Sequence, residues 1–191
     1  QSRSSAASDV YKRQVIALGS EDNKPIVIYS SNSGLNWSKI ELPKNLNIKH
    51  AYDICFWYDP ILSHINFWIT TNELILKNYN ILTNTNLANT WVVSRSFEPT
   101  YGTTDFVKIA SNDSGHIVAV CSGGIAYTTD QFTWKFLEQP GYSFRSVTDF
   151  NNMWIVGAES LLTHYTHWTS TDTENWTPDN CGVQIFDSTV I

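Results

Sequence analysis

The stretch YSSNSGLNW, Tyr29 to Trp37, decides the fold, because three later segments close in the same manner: LTNTNLANTW (Leu82 to Trp91), YTTDQFTW (Tyr127 to Trp134) and WTSTDTENW (Trp168 to Trp176). Each joins an aromatic or aliphatic residue to a cluster of Ser, Thr, Asn and Asp, and then to Trp. The closing tryptophans, Trp37, Trp91, Trp134 and Trp176, stand 54, 43 and 42 residues apart. Self-similarity with a period in the forties and strand-and-turn patterning inside each period is the signature of a propeller blade, a four-stranded antiparallel sheet.

The interior of each unit agrees. Ile54–Tyr58, Ile65–Thr70, Phe106–Ala110, Ile117–Cys121, Ser146–Phe150 and Trp154–Gly157 are short runs of β-branched and aromatic residues and read as strands. Asp59-Pro60, Asn112-Asp113-Ser114-Gly115, Ser122-Gly123-Gly124 and Asn151-Asn152 punctuate them as hairpin turns. No segment carries an apolar stripe of helical period and length. In the closing segments the short side-chain oxygens are expected to cap the amides of a tight turn, and the Trp to pack into the seam with the next unit. The second unit is longer by about ten residues, an excess assigned to Tyr58–His64 and Asn72–Asn80.

Ser30-Ser31-Asn32-Ser33-Gly34-Leu35-Asn36-Trp37 fits the S-x-D-x-G-x-x-W turn of the Asp-box (BNR) repeat, with Asn32 in the Asp position. The run Ile117–Trp134 resembles the blades of sialidase-like propellers and of their relatives in phage tail and bacterial surface proteins. The other turns depart from the pattern: Asp130 and Asp172 stand four residues before their Trp rather than five, Gln131 and Thr173 replace the Gly, and the second unit has Asn86 and Ala88. The resemblance covers Val15–Ile191. It implies an all-β propeller in which Ser30, Asn32, Gly34, Trp37, Asn86, Trp91, Asp130, Trp134, Asp172 and Trp176 are structural turn positions. It is specific for fold and not for activity, since one fold hosts many activities.

Residues 1–14, QSRSSAASDVYKRQ, are polar and aperiodic, resemble a translated adapter, and are expected to stand outside the fold as a non-native or disordered leader. The blades then fall at about 15–41, 50–93, 104–136 and 144–178, with 183–191 as the first strand of a further or closing blade. Val15 aligns with the second strand of later units, so the first blade lacks an innermost strand of its own. Either Val183–Phe186 closes a four-bladed ring, or the chain is part of a ring of six to eight blades. The second reading is favoured, because Asp-box propellers usually have six or more.

The 191 residues are 42% hydrophobic and 14% aromatic, with 8 Trp, which is enough for a substantial core. Net charge is −6, and without the first fourteen residues Lys plus Arg falls from 12 to 9, Asp plus Glu from 18 to 17, and the charge to −8. That balance argues against a nucleic-acid partner. No apolar run reaches the roughly 18 residues of a membrane helix. Cys55, Cys121 and Cys181 have no zinc-site or disulfide-framework spacing. No nucleotide, serine-hydrolase or zincin motif is present, and no cofactor is expected.

The sialidase-like resemblance implies three arginines on a substrate carboxylate, because several guanidinium forks are needed to hold that anion. Outside the leader only Arg95 and Arg145 exist, and the Arg-Ile-Pro motif is absent. A general glycosidase needs two carboxylates about 5–10 Å apart. Asp53 and Asp105, at matching positions before the innermost strands of two blades, are the weak candidates for such a catalytic pair. In LLTHYTHW (Leu161–Trp168), His164 and His167 would point to opposite faces of a strand, so no metal site is expected. Trp57, Tyr165 and Trp168 are the candidate ligand-binding aromatics, able to stack on a sugar ring at the rim, whereas Trp68 and Trp154 in mid-strand read as core. The expectation is a non-catalytic binding or structural propeller, on a virion tail or bacterial surface, that recognises glycan or protein. The alternatives are part of a sialidase-like glycoside hydrolase, and an assembly or sorting scaffold gripping a peptide. Oligomeric state is left open.

Overall fold

The structure, a computed structural model, describes residues 6–9, 14–61, 64–72, 74–79, 91–96, 105–160 and 166–179. Among these residues there is no helix, and so none long and apolar enough to cross a membrane. The first sheet is β1 (Ala6–Asp9), β2 (Gln14–Glu21), β3 (Lys24–Ser30) and β4 (Ser38–Ile40), paired in that order. The second is β5 (Ala51–Asp59), β6 (His64–Thr71), β7 (Leu74–Tyr79) and β8 (Trp91–Ser96), again in order. The third joins β9 (Phe106–Ser111), β10 (Ile117–Thr128), β11 (Lys135–Phe150), β12 (Met153–Ser160), β13 (His167–Ser170) and β14 (Thr177–Asp179). Every pairing is antiparallel.

The tight turns follow from their residues. Asp22-Asn23 between β2 and β3, and Asn151-Asn152 between β11 and β12, all have positive φ, from 49° to 61°, the conformation a two-residue hairpin needs and short polar side chains tolerate. At Asn112–Gly115 the Asn112 side-chain oxygen accepts from the amides of Ser114 and His116, at 3.1 and 2.9 Å, and Gly115 takes φ 80°.

Four expectations require correction. The leader is not wholly outside the fold: Ala6–Asp9 pair with Gln14–Ala17 of β2. An edge strand offers backbone donors and acceptors to any extended segment, whatever its side chains. Leu74–Tyr79, inside the stretch assigned to the second unit's excess, is a regular strand whose Ile75, Leu76, Lys77 and Asn78 are buried. Ser122-Gly123-Gly124 does not separate two strands but lies within β10. Gly123 there has φ 89°, and the facing inverts: Ala119 and Cys121 share one core cluster with Ala126, while Val118 and Val120 share another with Ile125 and Tyr127. The third and fourth units are not separated by a loop either. β11 pairs with β10 through Lys135–Glu138 and again at Ser143, opposite Ser122, and with β12 through Tyr142–Phe150, the unpaired break falling at Gln139-Pro140-Gly141, where proline has no amide to give.

The closing turns are built as their chemistry suggests. Ser30 Oγ accepts from the amide of Gly34 at 2.9 Å and donates to Asn32 Oδ1, which in turn accepts from the amide of Asn36 at 2.9 Å. Asp130 Oδ1 accepts from the Phe132 and Thr133 amides and the Thr128 hydroxyl. Asp172 Oδ1 accepts from the amides of Glu174 and Asn175 and from Ser170 Oγ. Gly34, Gln131 and Thr173 stand at the same place and all have positive φ, so the turn survives the loss of glycine at some conformational cost. Asn86 lies outside the described residues.

The amide and side chain of Asn175, with the amide of Glu174, hold the Asp172 carboxyl well below the ordinary carboxylate range. The folded state therefore binds that proton more weakly than the unfolded chain does. Its stabilisation is present above the ordinary value of 3.8 and is lost as pH falls below it. Between about pH 5 and pH 2 the melting temperature should fall more for the wild type than for Asp172→Asn. Parallel curves would exclude this role.

Three apolar seams hold the units together. Ile16, Leu18, Val27 and Ile40 of the first unit meet Ile54, Phe67 and Ile69 of the second. Cys55, Trp68 and Ile75 meet Phe106, Ile117, Ala119 and Trp134. Val118, Val120, Ile125 and Tyr127 meet Phe144, Trp154, Val156 and Trp168. The closing Trp enters the seam with the preceding unit, not the next one. Trp91 sets its ring edge on Phe67 and donates to the Glu41 carbonyl at 3.1 Å, and Trp134 donates to Ser94 Oγ at 2.9 Å. Trp176 packs on the seam of the third and fourth units. Among the described residues no preceding unit covers Trp37, which is 44% exposed.

Candidate functional site

β5 and β9, the first strands of the second and third units, lie side by side, and a groove of about 680 Å³ runs between them. Ile54, Cys55 and Ile109 form its buried floor, and Trp57, Tyr58, Pro60, Asn112 and Asp113 line the end formed by the hairpin turns. Trp57 is half-buried, and its indole N–H donates to the Asp113 carbonyl at 3.2 Å. Gly115 makes room for it: a Cβ there would stand 2.9 Å from Trp57 Cε2 and 2.8 Å from Gln131 Nε2. Ser111 Oγ donates to the Phe56 carbonyl at 2.6 Å and ties the two walls together. The indole is thus placed by a strand on one side and a rigid turn on the other.

The two candidate acids are also bound between the walls. Asp53 lies within β5, not before it, and is 5% exposed; its Oδ2 accepts from the Ile109 amide at 3.1 Å. Asp105, just before β9, accepts from the Tyr52 hydroxyl at 2.9 Å. Burial and the Asp105 carboxylate push the Tyr52 phenol up to about 12, so it remains a donor. Each carboxylate therefore fastens its own unit to a neighbour. Asp53 and Trp57 share a face of β5 but stand about 13 Å apart along it.

Asp113 is the carboxylate among the lining residues, and Asp149 lies near it. Burial and then the Asp113 carboxylate raise the Asp149 carboxyl, and His116 opposes them. Asp59 adjoins Pro60 at the same end. Arg145 is exposed on β11, and the side chain of Arg95 lies outside the described residues.

Trp168, expected at the rim, is instead 6% exposed in the seam of the third and fourth units, edge-on to Tyr142 and Phe144, and has no face to offer a ligand. Trp68 and Trp154 are buried, as their mid-strand positions suggest. Tyr165, His164, Cys181 and 183–191 lie outside the described residues. His167 is half-buried, with Nε2 3.9 Å from Asp179 Oδ2. Among the described residues no three His, Cys, Asp or Glu side chains gather as metal ligands would. Cys55 and Cys121 are free thiols in the core, and burial raises both, Cys121 to about 12.

One cluster escaped the reading of the sequence. Lys77, 2% exposed, sets its ammonium 4.8 Å from the Trp68 ring and 4.9 Å from the Phe132 ring, and donates to Gln131 Oε1 at 3.3 Å. Burial pulls it down to about 8 against the pull of Asp59 and Asp130. The available signal was a lysine two residues from Ile75 on the same strand face, a polar residue in a seam position.

No family model and no curated protein matches the sequence. The chain superposes on an exo-β-1,3-galactanase from Phanerochaete chrysosporium solved with β-1,3-galactotriose, at 8% identity and TM-score 0.55, covering 93% of this chain and 49% of that one. It superposes also on the Trypanosoma rangeli sialidase in complex with the inhibitor DANA, at 14% identity and TM-score 0.53, covering 93% and 38%. The likeness is one of fold, an all-β propeller, and the chain spans half or less of the length of either protein.

Proposed function

We propose that the chain is a non-catalytic recognition module of a virion or cell surface that holds a neutral glycan in the groove between β5 and β9. The observation that carries this reading is the half-buried Trp57 indole, which lines the groove, packs on the core between the second and third units, and is fixed by the Asp113 carbonyl and the space Gly115 leaves. A sugar ring presents an apolar C–H face to such an indole and hydroxyls to Asn112 and Asp113. The Asp113 carboxylate in the lining disfavours sialylated and other anionic sugars, and Asp53 and Asp105 are engaged in joining units. Groove ligands of this size are recognised by a few polar groups in an otherwise apolar, rigid wall.

On an array of neutral and sialylated oligosaccharides, the chain should retain neutral ones. Trp57→Ala should weaken that binding by about tenfold or more, the equivalent of about 1.4 kcal/mol. Gly115→Ala should weaken it as well, by displacing the indole. Retention indifferent to both substitutions overturns the reading. Aryl-glycoside hydrolysis abolished by Asp53→Asn or Asp105→Asn would replace it with the hydrolase. A captured peptide that sugars do not displace would replace it with the scaffold.

A further inference from the structure

Gln131 stands where the first closing turn has Gly34, and it keeps the left-handed backbone, φ 66°, that favours glycine. A side chain retained at such a position marks a place where something other than local comfort decides. Thr173, at the same place in the fourth turn, bends its hydroxyl back on the Asp172 carbonyl. The Gln131 amide instead reaches out of its turn in two directions. Its Oε1 accepts from Lys77 Nζ of the second unit at 3.3 Å. Its Nε2 lies over Gly115, where a Cβ would stand 2.8 Å from it and 2.9 Å from Trp57 Cε2. The bare α-carbon of Gly115 is thus covered by the Gln131 amide and the edge of the Trp57 ring together.

Lys77 is built into this arrangement. Cys55, Trp68 and Lys77 stand opposite one another across β5, β6 and β7, so Lys77 shares a sheet face with Trp57, two residues along β5 from Cys55. Its ammonium lies between the rings of Trp68 and Phe132, the residue after Gln131, and such faces attract a cation. An ammonium can accept nothing, so the oxygen of the Gln131 amide faces it and the nitrogen is left toward Gly115. A charged donor holds that amide more firmly than a neutral one. The indole N–H of Trp57 is tied to Asp113 of the same turn. Lys77, Gln131, the Asn112–Gly115 turn and Trp57 therefore form a closed circuit between the second and third units, at the end of the groove.

We propose that Lys77 is a positioning residue of the groove: through Gln131 it holds the Asn112–Gly115 turn against Trp57, and binding to the indole depends on its charge. The effect on binding rests on the glycan reading; the placement of Trp57 does not. Nitrogen-15 NMR of the ligand-free chain reads that placement, the Trp57 indole N–H being identified by its loss in Trp57→Phe. Gln131→Gly supplies the residue the turn favours, and Lys77→Met keeps the buried stem. Both should leave the far-ultraviolet circular dichroism unchanged and speed exchange of the Trp57 N–H at least about threefold. Thr173→Gly, the same replacement one turn on, should leave that exchange as it is. On the oligosaccharide array Gln131→Gly and Lys77→Met should each lose about threefold in retention of neutral sugars, and nothing further where Trp57→Ala is already present.

The charge gives a second arm. Burial pulls Lys77 down to about 8, against Asp59 at the end of β5 and Asp130 in the closing turn. Between about pH 7 and pH 9 the Trp57 N–H resonance should titrate in the wild type, with a midpoint near 8, and not in Lys77→Met. Asp113, His116 and Asp149, in and beside the groove turn, are present in both chains and cancel from that comparison. Exchange unchanged in either Gln131→Gly or Lys77→Met, or raised as much by Thr173→Gly, overturns the proposal whatever the array shows. Faster exchange in both, with no neutral sugar retained by any chain, upholds the positioning of Trp57 and overturns the glycan reading alone.

Discussion

Replacing Trp134 with alanine is expected to remove about 3–5 kcal/mol of unfolding free energy, the cost of deleting a buried aromatic together with the cavity it leaves. The same replacement at Trp37 should cost less than about 1 kcal/mol. The two residues close equivalent turns, so sequence position alone assigns them the same role. Their surroundings do not: Trp134 is 7% exposed among Cys55, Trp68, Phe106 and Ile117, and its indole N–H reaches Ser94, whereas Trp37 is 44% exposed. Trp91 and Trp176, both half-buried, should fall between them. Trp134→Phe separates the two contributions, keeping most of the ring while losing the bond to Ser94, for about 1 kcal/mol. Urea unfolding of the five variants gives the series. Equal losses at Trp37 and Trp134 would mean that the turn, and not the seam, is what the Trp stabilises.

That contrast also marks where the sequence was legible. The turn chemistry was local and could be read: Asp130 and Asp172 cap the amides that their spacing from Trp suggests, and β5, β6, β9 and β12 contain the runs expected of them. Seam membership was not. In a blade both faces of a strand are covered, so alternation does not say which neighbour a side chain meets, and Trp168 read as a rim aromatic although it lies in the third seam. Direction failed for the same reason, since nothing local says whether a closing Trp turns back or forward. The groove was half visible. Trp57 was singled out, but its partner Asp113 and the space left by Gly115 come from the next unit, more than fifty residues away. Asp53 and Asp105 look alike in sequence as carboxylates near the start of a strand, and only the packing of β5 on β9 turns them into fasteners between units. Lys77 escaped because a buried lysine requires two aromatic faces and an amide oxygen, which two segments distant in sequence supply, β6 with Trp68 and the turn with Gln131 and Phe132.

Gly124→Ala is expected to destabilise the chain by about 2–3 kcal/mol through overpacking. A Cβ at this position would stand 2.2 Å from Phe136 Cζ, 2.7 Å from Phe136 Cε2 and 2.8 Å from the Leu137 carbonyl oxygen. The ring can turn away, but the carbonyl belongs to a ladder in which Gly124 faces Glu138 and Ile125 faces Leu137, so relief on that side requires the strands to part. Phe136 packs against the seam of the second and third units, and displacing it disturbs Trp134 beside it. The neighbouring Gly123 is a different case: its φ of 89° makes the cost of a side chain conformational, about 1 kcal/mol. Phe136→Leu combined with Gly124→Ala should recover the part of the loss due to the ring and leave the part due to the carbonyl, a coupling that Gly123→Ala with Phe136→Leu should lack. Thermal unfolding of the two double-mutant cycles distinguishes these costs. If Gly124→Ala unfolds within about 0.5 kcal/mol of the wild type, or Phe136→Leu recovers nothing, then β10 and β11 are not packed here as closely as the approach of Phe136 and the Leu137 carbonyl to Gly124 requires.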